Sequence, residues 1–202
     1  MASAMPRENR IIRVTVVSDI TCPWCYIATV EIDRAIEQLQ LPPDSPVKFE
    51  LEHKPYLLNP SWREDESRKK SEYLVEKLGK ERWTKVFQML RDRGKEVGIK
   101  LYVSYPAGIH NCISCVILSE DNGIVCSTWR AHRLLSLAWN KGGSEAQSKL
   151  LKALYKASFE RGENVADIDI LSKYAEQCGT ISKDEVCSPR APQPHNQTYW
   201  SF

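Results

Sequence analysis

The chain has 202 residues, 42% of them hydrophobic, enough for one domain with a sizeable core, with or without an insertion. A formal charge of +2 lacks the strongly basic balance of a nucleic-acid binder, and no apolar run is long enough to span a bilayer. Residues 1–10 are polar, and seven cysteines, an odd number, fit reduced thiols plus one redox pair better than a bridged secreted scaffold. The expectation is a cytoplasmic protein with neither a membrane nor a nucleic-acid partner.

In chain order, the β-branched run Ile11 to Val17 predicts a strand that leads into Cys22-Pro23-Trp24-Cys25. Proline suits the first helical position, so a helix beginning at Pro23 places Cys22 at the N-cap, facing unpaired backbone N–H groups. Ile32, Ala35, Ile36 and Leu39 continue the helical period and predict a core face, with the stop near Leu41 before Pro42-Pro43. Val47, Phe49 and Leu51 then alternate with charged residues as a second strand. Strand, helix and strand in that order predict a parallel βαβ unit over residues 11–60, hence an α/β fold.

From Trp62 to Gly179 the period is helical, predicting a helical insertion over residues 61–180. Gly142-Gly143 predicts a helix end, Ser144 with Gln147 a capping box, and Asp167 the cap of a last helix that Gly179 stops. Arg68-Lys69-Lys70 reads as a solvated helix face. Residues 107–126 are apolar and Cys-rich without a clean period, and residues 181–202 form a tail expected to be disordered.

The chemistry concentrates at the CPWC turn. A helix dipole favours the thiolate at Cys22, the nucleophile, and Cys25 one turn on is placed to resolve a mixed disulfide. CxxC also serves zinc sites, but a pair that opens a helix after a β-branched strand reads as redox chemistry. Pro23 and Trp24 are candidate substrate contacts, with packing over the site the equal alternative for Trp24. Asp19 is a candidate for assisting proton transfer from Cys25, although capping is the favoured reading. His132 invites an acid–base role, but nothing near it in sequence supplies an orienting carboxylate, so a packed helix histidine is favoured. His110, Cys112, Cys115 and Cys126 have zinc-donor types, yet their apolar neighbours favour thiols acting as small hydrophobes, and no metal is expected.

Ser18-Asp19-Ile20-Thr21-Cys22-Pro23-Trp24-Cys25-Tyr26-Ile27, then Leu58-Asn59-Pro60, then Thr128-Trp129-Arg130-Ala131-His132-Arg133-Leu134 together resemble the DsbA-like thioredoxin superfamily. The resemblance is greatest to its FrnE-like branch, which includes 2-hydroxychromene-2-carboxylate isomerase and the kappa-class glutathione transferases. It implies a thiol-disulfide oxidoreductase working through Cys22 and Cys25 on a small-molecule or protein thiol or disulfide. No bound cofactor is implied, and glutathione is a conceivable redox partner. A glutathione-dependent isomerase or transferase is the alternative within the superfamily, against which the intact cysteine pair speaks. The family's closing ββα unit, opened by a cis-proline, has no counterpart in the sequence after Gly179, so it is expected to be missing. A catalytically incompetent form that acts by binding is therefore a third reading. Ser127 stands where relatives usually have Asn, and residues 107–126 look like an addition.

Overall fold

Strand β1 (Arg10–Ser18) pairs in parallel with β2 (Val47–Pro55), from Arg10 opposite Val47 to Ser18 opposite Pro55, and helix α1 (Pro23–Gln38) makes the crossover. The structure is a computed structural model that describes residues 10–99, 101, 123–179 and 181–187. The predicted βαβ unit is present, with α1 ending slightly earlier than its period implied. Its last turn closes where Leu39 and Gln40 donate to the carbonyls of Ile36 and Glu37, with Gln40 at φ 45°. The predicted core face is covered only in part. Tyr26, Ile27 and Thr29 are buried near the N-terminus, whereas Ala35 is exposed and Leu39 is 54% exposed.

After β2 the chain forms a three-residue strand, β3 (Ser67–Lys69), and two helices, α2 (Lys70–Leu78) and α3 (Lys80–Glu96), separated by Gly79 at φ 76°. β3 pairs antiparallel with β4 (Ile124–Cys126). Neither strand is long enough to show a period, so the sequence read the region as helical throughout. Arg68-Lys69-Lys70 is accordingly not a helix face. Two of these residues lie in β3, and Lys70 opens α2 with its ammonium 4.8 Å from the ring centroid of Phe159. Burial lowers the Lys70 pKa to about 8.

Helix α4 (Trp129–Tyr155) supplies much of the core and runs on into a π-helical segment, Lys156–Glu160. Its path breaks at Gly142 and Gly143, the latter at φ 61° and ψ −150°, a conformation open essentially to glycine alone. The predicted capping box after this break is corrected. Ser144 Oγ accepts the N–H of Leu51 at 2.9 Å and Gln147 bonds the backbone of His53, so both side chains reach across to β2. Helix α5 (Ile168–Cys178) has the predicted cap, Asp167 Oδ1 accepting from the N–H groups of Asp169 and Ile170, and the predicted stop at Gly179, which takes a left-handed conformation.

A short helix, α6 (Lys183–Cys187), forms where the disordered tail was expected to have begun. Glu185 folds back to accept from both the N–H and the hydroxyl of Ser182, at 3.0 Å each, which holds this turn. The rest of the tail lies outside the described residues. So does most of the atypical stretch, including His110, Cys112 and Cys115, while its last three residues form β4.

The core gathers Leu150, Leu151, Leu154 and Tyr155 from α4 with Ile20 from the turn after β1, Tyr26 and Ile27 from the start of α1, and Leu171, Ala175 and Cys178 from α5. Each fully buried large side chain of this kind contributes roughly 1.5–3 kcal/mol relative to exposure. The sheet is closed on one edge and open on the other. β2 is sealed by Ser144 and Gln147 of α4, whereas among the described residues no strand pairs with the outer edge of β1, and Ile11 and Val17 are 55% and 52% exposed. No helix among the described residues is long and apolar enough to cross a membrane.

Candidate active site

Where β1 ends, Ser18, Asp19 and Ile20 turn inward, and Cys22 takes an extended conformation (φ −93°, ψ 111°) as the N-cap of α1 with Pro23 in the first turn. The Cys22 carbonyl accepts from the N–H groups of Cys25 and Tyr26 at 3.1 and 3.3 Å, so the loop and the helix are joined at this residue. Both thiols are free and half-buried. The Cys25 thiol donates toward Cys22 and, with the N–H groups of Cys25 and Trp24, lowers the Cys22 pKa to about 7, against the opposing effects of burial and the charge of Asp19. Cys25 shifts the opposite way. Its hydrogen bond to Cys22 and its burial hold the proton on it well above the usual thiol range. The pair is thus asymmetric, with a sulfur at Cys22 that ionises near neutral pH beside a retained thiol at Cys25.

Asp19 is 1% exposed and accepts four hydrogen bonds. Oδ1 takes the N–H and hydroxyl of Thr21 at 2.8 and 2.9 Å, and Oδ2 takes the N–H of Leu58 at 2.6 Å and the hydroxyl of Thr128 at 3.3 Å. The favoured reading of Asp19 as a helix cap is corrected: the N-cap is Cys22, without a side-chain cap, and Asp19 instead closes the turn at Thr21 before the helix and joins three segments far apart in sequence. These are the three motifs that carried the family resemblance, and their meeting point is this carboxylate. Buried negative charge is tolerated here because each oxygen is paired.

His132 is 4% exposed, with Nε2 3.0 Å from the Tyr56 carbonyl. Burial lowers its pKa, against an upward pull from Asp19. The ring is held by the Tyr56 carbonyl, and Asp19, distant in sequence, acts on it through its charge. Nearby, Arg133 holds Glu64 through both guanidinium nitrogens at 2.5 and 2.7 Å, while Arg130 donates to the Ala166 carbonyl at 3.1 Å, fixing the start of α4. Trp24 is 43% exposed and Pro23 half-buried, so both border solvent at the thiols.

Two residues were missed. Tyr26 stacks on Tyr155 at 5.0 Å between ring centroids and donates its hydroxyl to Glu160 at 2.6 Å. Tyr155 is fully buried with its hydroxyl unpaired, and burial raises its pKa. In sequence Tyr155 falls on the same stripe as Leu151 and Leu154, so its only signal was a core position. Cys126 is buried in β4, its thiol pushed up to about 12 by burial. Among the described residues no group of three or more His, Cys, Asp or Glu side chains is arranged to hold a metal ion.

The model of the DSBA-like thioredoxin domain matches residues 13–194. The chain belongs to this family. Its fold is the mixed α/β, helix-rich arrangement of a thioredoxin-like DsbA domain. Among solved structures it is similar to a "probable DsbA oxidoreductase" from Streptomyces coelicolor, with 25% identity and a TM-score of 0.67 over 90% of this chain and 68% of the other. No curated protein matches the sequence. Membership places the chain among oxidoreductase-type proteins, and the family match includes Cys22, Cys25 and all three motifs joined at Asp19.

Proposed function

We propose that this DsbA-like chain is a thiol-disulfide oxidoreductase of the FrnE-like branch that works through Cys22 and Cys25 in the cytoplasm, with no bound cofactor. The single observation that carries the reading is the opposed shift of the two thiols at the start of α1. As a reductant, the Cys22 thiolate attacks one sulfur of a substrate disulfide, the S–S bond breaks, and the departing thiolate takes up a proton. Cys25 then loses its proton and attacks the Cys22 sulfur. The Cys22–Cys25 bond forms, the mixed disulfide breaks, and the second substrate thiol leaves, so two electrons pass from the pair to the substrate. The reverse sequence oxidises a dithiol. Pro23 and Trp24 border the path by which a thiol or disulfide, glutathione included, reaches Cys22.

In the same reading, Asp19 and His132 are positioning residues. Asp19 fixes the turn that presents Cys22, and His132 anchors α4 to the segment after β2 through Tyr56. The uncovered edge of β1 supports an attenuated activity, because a substrate bound beside the thiols has less protein to hold it in line for attack.

The test is a single-turnover assay with a dithiol peptide. The oxidised chain should convert the peptide to its disulfide while gaining two thiols. Cys22→Ser should abolish turnover, and reduced Cys25→Ala, offered the peptide in its disulfide form, should accumulate a mixed disulfide at Cys22 as the peptide S–S bond breaks. Oxidation that persists in Cys22→Ser would overturn the assignment.

A further inference from the structure

The groove between the second half of α4 and α5 is walled by cations. Lys149 and Lys152 of α4 and Lys156 at the start of the π-helical segment follow one another at intervals of three and four residues, which puts them on one face. Lys173 and Tyr174 of α5 stand opposite, Arg161 and the neutral Ala153 and Gln177 complete the lining, and the groove has a volume of about 490 Å³. That lies within the roughly 300–1,000 Å³ of small-molecule sites.

Five cations meet here, and two carboxylates answer them. Asp33 pairs with Lys152 at 2.7 Å, and Glu163 is shared by Lys173 at 2.9 Å and Arg161 at 3.4 Å. Lys149 donates to the Cys178 carbonyl at 3.1 Å, and Lys156 makes no ion pair or hydrogen bond with another described side chain. The nearest acid in sequence, Glu160, is committed to the hydroxyl of Tyr26. Tyr174 holds two of the cations together against their mutual repulsion, with the Arg161 guanidinium 5.2 Å and the Lys173 ammonium 4.9 Å from its ring centroid. Like charges gathered in a concave surface leave a positive field that a multiply charged anion would neutralise.

We propose that this groove binds a small phosphorylated molecule carrying at least two negative charges. Four of the five cations are lysines, point charges without a preferred plane, which suit the tetrahedral oxygens of phosphate. A carboxylate is matched best by an arginine fork, and the fork present, Arg161, already serves Glu163 and the Ala153 carbonyl. Asp33, which marks the α1 side of the groove, is eight residues beyond Cys25, about 12 Å along the helix axis. The groove is therefore a site separate from the thiols, and its assignment does not rest on the redox reading.

The phosphate group could be carried by a free metabolite or by a lipid headgroup. The probe for the first is inorganic tripolyphosphate, titrated calorimetrically into the full chain. Saturable binding that weakens as salt rises through about 0.15 M is expected. Lys156→Glu should weaken it about tenfold or more, whereas Lys85→Glu, the same charge change on an exposed position of α3, should change it less than about twofold. The second probe is sedimentation with phosphatidylcholine vesicles containing a phosphorylated inositol lipid. Vesicle binding lost in Lys156→Glu assigns the headgroup source, and tripolyphosphate binding alone assigns the free one. No saturable binding to either probe, or equal losses in the two variants at matched thermal stability, would overturn the proposal.

Discussion

Gln147 stands beside His53 as a neighbouring strand would. Its Oε1 accepts the His53 N–H at 2.7 Å and its Nε2 donates to the His53 carbonyl at 3.0 Å, so a helix side chain completes the outer ladder of β2. The same amide nitrogen reaches the Leu135 carbonyl at 3.3 Å in the first half of α4. With Ser144 on Leu51, this closes the β2 edge without a third strand and ties both halves of α4 to the sheet.

Gln147→Leu keeps the volume of the side chain but strips the partners from a buried backbone N–H and carbonyl. Two unsatisfied groups at about 1–3 kcal/mol each predict a loss of roughly 2–6 kcal/mol in denaturant unfolding. A loss below about 0.5 kcal/mol would show that water reaches this edge.

His53 itself predicts acid sensitivity. Burial lowers its pKa to about 4 from an ordinary 6.5, with Asp33 opposing and Lys152 assisting the shift. Between those values the unfolded chain binds a proton that the folded chain does not, so stability falls as pH drops from 6.5 toward 4 and the effect levels off below. The shift corresponds to at most about 3 kcal/mol. In His53→Leu the slope of stability against pH over this interval should be shallower, with a remainder from His132, whose buried ring shifts in the same direction. An unchanged slope would place the acid sensitivity elsewhere.

The acidity of Cys22 depends first on the thiol of Cys25. Alkylation of Cys22 should rise with pH through about 7 and then level as the thiolate fraction saturates. Cys25→Ala should move this midpoint upward, toward the ordinary thiol value, and slow alkylation at pH 7 about fivefold for the first unit moved, as the thiolate fraction falls. Identical profiles for the two proteins would mean that the helix N-terminus alone sets the acidity.

Asp19→Asn changes little in shape and much in bonding. An amide offers one acceptor oxygen where four donors converge, and its NH2 must face donors. A loss of roughly 2–4 kcal/mol is expected. Because the Asp19 charge raises the Cys22 pKa, the surviving folded protein should also show a lower alkylation midpoint. A destabilised protein whose Cys22 midpoint is unmoved would limit Asp19 to a structural part.

The βαβ opening was legible because each element has its own signature, alternation in β2, proline at the start of α1, and an asparagine-free, β-branched β1. Asp167 and Gly179 were legible for the same reason, since caps are local chemistry. What the sequence concealed was nonlocal. The capping-box pattern at Ser144 and Gln147 is chemically correct, but the partners that these side chains take lie on β2, more than ninety residues away. His132 looked isolated because the groups that act on it, the Tyr56 carbonyl and the Asp19 charge, lie far from it in sequence. Strands β3 and β4 are too short for any period, and Tyr155 is indistinguishable in sequence from the leucines that share its stripe. At the candidate site, the placement of the two cysteines at the start of α1 was readable, while the groups that surround them were not.

The bonds that surround the thiols span long stretches of chain. Asp19 reaches Thr128 across 109 residues, and Tyr26 reaches Glu160 across 134. During synthesis the cysteine pair therefore emerges long before α4, and closing such long loops is slow compared with forming α1. Until then Cys22 and Cys25 sit on a nascent helix with neither the Asp19 junction nor the aromatic stack beneath them. The site is among the first parts of the chain to be made and among the last to be assembled.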